Sequence, residues 1–65
     1  MKPRDVKDSL GKPVVWKDKS YVMNAYILRA KNGKLFYQAE LKEIDRNSVM
    51  IVNLSEVEAL ESSNL

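Results

Sequence analysis

The pair Asn32-Gly33 constrains the fold of this chain more than any other feature of its sequence. It stands between two runs rich in strand-forming residues, 21–30 and 35–43. A two-residue type I′ turn needs positive φ at both central positions, and Asn followed by Gly adopts that conformation at low cost. The sequence therefore predicts a tight β-hairpin centred on these two residues.

The turn sets the pairing of the two strands, because Lys31 then faces Lys34, Leu28 faces Tyr37 and Arg29 faces Phe36. One face of the predicted hairpin carries a mostly apolar set suited to a core: Val22, Asn24, Tyr26, Leu28, Ala30, Leu35, Tyr37, Ala39, Leu41 and Glu43. The other face carries the alternate residues: Met23, Ala25, Ile27, Arg29, Phe36, Gln38, Glu40 and Lys42. We expect the first face to be buried and the second to meet water or a covering segment.

The composition limits how such a hairpin is completed. A chain of 65 residues makes one domain, and it contains neither cysteine nor histidine. Disulfides and the usual ligands of structural zinc are therefore excluded, and core packing must carry the fold. The longest apolar run, Val49 to Val52, is far shorter than the roughly 18 residues of a membrane span. Because residues 1–12 are charged, they lack the apolar stretch of a signal peptide, so we expect a soluble, cytoplasmic protein.

The chain divides into three parts. Residues 1–12 are predicted to form a polar tail, in which Val6 and Leu10 lie on one side of a short helical turn that ends at Gly11. Residues 13–60 form the β domain. Residues 61–65 have too little apolar surface to be held and should fray.

Outside the hairpin, the β domain has two more strand signals. Val14 to Trp16 predict a short strand before a polar turn at residues 17–20. Val49 to Leu54 are the most hydrophobic stretch, so we expect a central strand or one covered on both faces. Ser55 and Glu58 match a capping box that opens a short helix at residues 55–60, and a 3₁₀ turn leading to a last short strand fits equally well.

Short strands in meander order protect their edges most economically in a strongly bent, partly closed barrel. Their order over residues 11–60 resembles that of the small SH3-like barrels, including those of prophage-encoded and other small bacterial proteins. Five segments carry the resemblance: Gly11 to Trp16, Tyr21-Val22, Asn32-Gly33, Val49 to Leu54 and Ser55 to Val57. The resemblance implies an all-β, partly open barrel of four or five antiparallel strands that serves as a binding module. The paired acidic loop of the SH3 domains that bind Pro-rich peptides does not occur in this sequence.

The residue inventory argues against catalysis. Without His or Cys, acid–base chemistry would need carboxylates, lysines or tyrosines in a cleft that shifts their pKa values, and a small barrel rarely has such a cleft. Glu40, Glu43 and Asp45 lack the spacing of a calcium loop, and neither Gly11 nor Gly33 lies in a phosphate-binding motif. We therefore predict a protein that is not an enzyme and uses neither a metal nor a cofactor.

Two binding functions fit the sequence. In the first, an apolar patch on the outer hairpin face contacts a protein partner or a second copy of the chain. The predicted contact residues are Met23, Ile27, Arg29 and Phe36, with Arg29 lying across the Phe36 ring as a cation–π pair. Alternatively, the N-terminal tail or a bent strand covers these residues and makes them a minor core.

The second function is nucleic-acid binding through basic loops. Its candidate residues are Lys17, Lys19, Lys31 and Lys34. Nine basic and three acidic residues precede position 35, whereas two basic and six acidic residues follow it, so the charge is unevenly distributed. The formal net charge of only +2 favours the protein-binding hypothesis.

Overall fold

A computed structural model describes residues 1–60 of the chain. Its five strands are β1 (Pro13–Trp16), β2 (Lys19–Lys31), β3 (Lys34–Glu43), β4 (Val49–Asn53) and β5 (Glu58–Ala59). They form one open antiparallel sheet in the order β4-β3-β2-β1-β5, which confirms the all-β fold class and is consistent with a small, partly open barrel. The predicted fraying of residues 61–65 lies outside the described residues.

The end of the described chain takes one of the two predicted forms. A 3₁₀ turn at Leu54–Glu56 follows β4, and the chain then forms the two-residue strand β5 against β1. The hydrogen bond from the Val57 amide to the Leu54 carbonyl (3.0 Å) closes this turn. The short helix is therefore wrong, and the 3₁₀ turn with a last strand is confirmed.

The central hairpin is confirmed in its turn and in its distal register. Asn32 and Gly33 have φ values of 52° and 76°, as a type I′ turn requires. Lys31 pairs with Lys34, Arg29 with Phe36 and Leu28 with Tyr37, and the pairing continues to Ala25 opposite Glu40. Local turn chemistry was therefore sufficient to specify this half of the hairpin.

Nearer the base of the hairpin, the register shifts between Met23 and Ala25, because Asn24 is an extra residue in a β-bulge. Its side-chain nitrogen donates to Oε2 of Glu40 at 2.6 Å. Met23 then pairs with Leu41 and not with Lys42. The residues before the bulge change faces as a result, so the predicted burial of Val22 and Asn24 and the predicted exposure of Met23 are wrong.

The bulge places Met23 at the centre of the core, where its side chain is 0% exposed. The core contains residues from β1 to β4, from the last 3₁₀ turn and the residue after it, and from the N-terminal segment. They are Val6, Val14, Tyr21, Met23, Ala39, Leu41, Val52, Leu54 and Val57. Trp16 packs against this cluster and meets Tyr21 edge to face, with 6.0 Å between ring centroids. Its indole nitrogen also donates to Oε1 of Glu56 at 3.1 Å, which ties β1 to the last 3₁₀ turn.

The N-terminal segment is part of the folded unit and not a tail beside it. A 3₁₀ turn at Pro3–Asp5 leads into a helical turn that buries Val6 to 4% exposure, while Leu10 stays on the surface. The Gly11 amide donates to the Met23 carbonyl at 2.7 Å, and the Met23 amide donates to the Lys12 carbonyl at 3.0 Å. These bonds satisfy the backbone of Met23 beside the bulge, so the segment supports the irregular part of β2.

The most hydrophobic strand, β4, lies at an edge of the sheet and pairs only with β3. Val52 is buried, whereas Val49 and Ile51 are exposed on the opposite face. The expectation of a central or doubly covered strand is therefore wrong. The strand has one buried face, and the apolar Val49 and Ile51 on its other face are each about half exposed.

The effect of Val6→Ala tests the role of the N-terminal segment. We expect the free energy of unfolding to fall by about 1.5–2.5 kcal/mol, because two buried methyl groups are lost and a small cavity remains. Leu10→Ala, a change on the exposed side of the same turn, should cost less than about 0.5 kcal/mol. Urea denaturation followed by Trp16 fluorescence measures both. A loss for Val6→Ala as small as the one expected for Leu10→Ala would show that the segment does not contribute to the core.

The β1–β2 turn offers a second test, because Lys17 and Asp18 both have positive φ values, 50° and 65°. Asp18→Gly should raise the free energy of unfolding by about 0.5 kcal/mol, since glycine adopts this conformation without strain. Gly33→Ala should lower it by about 1 kcal/mol through φ alone, because an added Cβ would meet nothing within 4 Å. The same denaturation curves measure both changes, and a shift of the same sign for both variants would contradict the argument from φ.

Candidate binding surface

The outer half of the central hairpin extends beyond the core. β1 pairs with β2 only as far as Val22, and β4 pairs with β3 only as far as Gln38. Residues 27–38 are here called the hairpin arm, and beyond the Ile27–Gln38 pair no third strand of the described chain, residues 1–60, lies beside it. β2 has 13 residues and, at about 3.3 Å per residue, is long enough to run most of the molecule's 41 Å length.

The inner face of the arm continues the core face of the sheet. It carries Leu28, Ala30, Leu35 and Tyr37, on the same side as the buried Ala39. Leu28 is 52% exposed and Leu35 is 58% exposed, so their predicted burial is wrong. The two-stranded ribbon continues past the elements that cover the rest of this face, and none of the elements formed by residues 1–60 packs a layer over these side chains.

Tyr37 forms the junction between the core and the free part of the inner face. Its ring stacks on that of Tyr26, with 6.3 Å between centroids and 13° between planes. Tyr26 in turn packs against the core cluster. The stack holds the base of the arm in a defined position, although Tyr37 itself is exposed.

The outer face of the arm is mixed in character. Ile27 is half-buried, and Phe36 is 42% exposed opposite Arg29. The Nε of Arg29 donates to Oε1 of Gln38 at 2.7 Å. The cation–π contact found among residues 1–60 joins Lys17 to the Trp16 ring at 4.8 Å. Arg29 makes no such contact with Phe36, so the predicted Arg29–Phe36 pair is wrong. A shallow cavity of about 530 Å³ lies here, lined by Arg29, Ala30, Lys31, Phe36 and Gln38.

The structure brings together three of the four predicted contact residues. Ile27, Arg29 and Phe36 share the outer face of the arm, whereas Met23 is fully buried on the other side of the bulge. Met23 therefore cannot contact a partner in the folded protein. Asn24 and Glu43, two polar residues among the predicted core positions, were the signals in the sequence for the bulge that moves Met23.

The four candidate lysines do not form one site. Lys17 and Lys19 lie at the β1–β2 turn, and Lys31 and Lys34 flank the tip of the arm. The 13 residues of β2 separate the two pairs by up to roughly 40 Å. The two pairs therefore lie toward opposite ends of β2, and the basic residues of the arm are Arg29, Lys31 and Lys34.

No protein-family model, curated protein or solved structure matches this chain. Among residues 1–60, no helix is long and apolar enough to cross a membrane. The same part of the chain holds no cluster of three or more carboxylates that could bind a metal ion. The arm is thus the candidate site on the strength of its own geometry.

Alanine substitutions distinguish the arm from the core. Met23→Ala should lower the free energy of unfolding by about 2–5 kcal/mol, because it opens a cavity in a packed cluster. Phe36→Ala and Leu28→Ala should each cost less, about 1 kcal/mol, since roughly half of each residue is exposed to water in the folded protein. Thermal melts of the three variants give the comparison. If Leu28→Ala melts as early as Met23→Ala, the inner face of the arm is covered in solution.

Proposed function

We propose that this protein is a small, non-catalytic binding module that takes a protein partner on its hairpin arm. The observation that carries the proposal is the exposure of Leu28, Leu35 and Tyr37 on one face, with Phe36 exposed on the other. Large apolar side chains gathered on one projecting element are typical of interaction surfaces, whereas single exposed apolar residues are common everywhere.

The organisation of the molecule supports this function. No third strand among the described residues pairs with the outer part of the arm, yet the Tyr26–Tyr37 stack and the core beneath it hold its base. A ribbon that is anchored at its base loses less conformational entropy on binding than an unanchored one. We also propose that the chain is a member of the small SH3-like barrels. The strand order and the 3₁₀ turn before β5 support this part of the proposal.

Nucleic-acid binding is the second candidate, and the basic tip of the arm favours it. Arg29, Lys31 and Lys34 surround the exposed Phe36, a residue type on which bases stack. Three cations release few counterions, so affinity for phosphate backbones would be modest and would fall steeply with salt. The apolar inner face has no role in such a complex, and protein binding therefore accounts for more of the arm.

Site-specific photo-crosslinking tests the proposed function. A benzoylphenylalanine at position 35, on the arm, should give discrete protein adducts in an extract of the source cells. The matched control places the same group at Ile44, which is 57% exposed but lies outside the arm. Adding Leu28→Ser to the position-35 chain should remove most of the adduct, because it places a polar group in the contact surface.

Two results would contradict protein binding by the arm: the same adducts from positions 35 and 44, or no adduct from position 35. Crosslinking of the purified chain alone identifies a second copy as the partner, since its product has twice the mass of the monomer. Binding to DNA or RNA is measured in parallel at low and physiological salt.

A further inference from the structure

The outer face of the hairpin arm carries all of the arm's charge. Strand alternation places Arg29 and Lys31 on this face, and Lys34 joins them as the partner of Lys31. Residues 27–38 contain no Asp or Glu, so the arm has a formal charge of +3 within a chain whose net charge is +2. The cations therefore have no carboxylate of the arm itself to pair with.

The guanidinium of Arg29 is oriented before any ligand arrives. Its Nε donates to Oε1 of Gln38 at 2.7 Å, which leaves the two terminal NH₂ groups available. A planar guanidinium recognises a carboxylate through two parallel hydrogen bonds, and fixing its orientation lowers the entropy lost on binding. Lys31 lines the same shallow cavity and adds a second positive charge.

Apolar surface lies directly beside these cations. Phe36 is paired with Arg29 across the two strands, lines the same cavity and is 42% exposed. A ligand that fits the whole surface offers a carboxylate to the cations and an apolar side chain to the ring. Acidic protein segments interspersed with Leu or Phe have both groups within one or two residues of each other.

We propose, on the basis of the proposed function, that the partner of the arm is such an acidic protein segment. It places a carboxylate on Arg29 and Lys31, and an apolar side chain on Phe36. A second copy of the arm packed on this face would bring like charges together, which disfavours it as the occupant. A nucleic acid would satisfy the cations and stack a base on Phe36, but it would leave the apolar inner face of the arm without a contact.

Fluorescence anisotropy with a defined probe tests this inference on the purified chain. The probe is a fluorescein-labelled peptide of three Asp-Glu-Leu-Phe repeats, and its neutral counterpart has Asn-Gln in place of Asp-Glu. A single-stranded DNA of 12 nucleotides, at about one phosphate per residue of the peptide, is the third ligand. We expect the acidic peptide to bind at least about fivefold more tightly than the neutral one, the difference that one good exposed ion pair supplies.

Two variants with the same loss of charge locate the site. Arg29→Gln should raise Kd for the acidic peptide about fivefold, whereas Arg46→Gln, in the exposed turn before β4, should leave it unchanged. Arg29→Lys should recover only part of the affinity, because an ammonium lacks the planar fork. Thermal melts of all three variants should match that of the unaltered chain.

Four outcomes of these measurements would overturn the inference. Equal binding of the acidic and neutral peptides would mean that charge does not select the partner, and the proposed function would then stand on the apolar surface alone. Tighter binding of the DNA than of the acidic peptide would assign the outer face to nucleic acid. Equal losses for Arg29→Gln and Arg46→Gln, or no binding of the acidic peptide, would exclude the arm as a site for acidic segments.

Discussion

The β-bulge at Asn24 is the feature on which the rest of the structure depends. One extra residue in β2 turns Tyr21 and Met23 inward, while Tyr26 and the residues after it keep the faces that the Asn32-Gly33 turn assigns to them. Both halves of a long strand can then contribute to the same side of the sheet. Without the bulge, Tyr21 and Met23 would lie on the outer face, and Leu41 would have Asn24 as its cross-strand neighbour in place of Met23.

β2 and β3 contribute both to the core and to the hairpin arm, because they are longer than the elements that cover them. Near the base of the hairpin, β1, β4, the last 3₁₀ turn and the N-terminal segment enclose the core. Between Gln38 and the turn at Asn32-Gly33, the same two strands continue as a ribbon that pairs with no third strand of residues 1–60. Burial stabilises the base of the hairpin, whereas the turn and cross-strand contacts must stabilise the ribbon. Such an arm is well suited to contacts with another molecule.

The two faces of the arm offer different kinds of contact to a partner. The inner face is uncharged and supplies apolar area, which drives association without much selectivity. On the outer face, Arg29, Lys31 and Lys34 border Phe36, and charges of this kind favour partners of opposite sign and speed their encounter. For a partner that contacts both faces, the inner face would supply affinity and the outer face would supply specificity.

The sequence by itself determined the features that depend on neighbours in the chain. The turn at Asn32-Gly33, the pairing of residues 25–31 with 34–40 and the all-β class follow from turn chemistry and alternation, and so does the shared face of Ile27, Arg29 and Phe36. Only the tertiary structure decided which apolar residues are buried. Leu28 and Met23 are both apolar residues of one strand, yet their burial depends on where β1, β4 and residues 1–12 pack and on one inserted residue. These contacts join distant parts of the chain, and alternation along one strand carries no information about them.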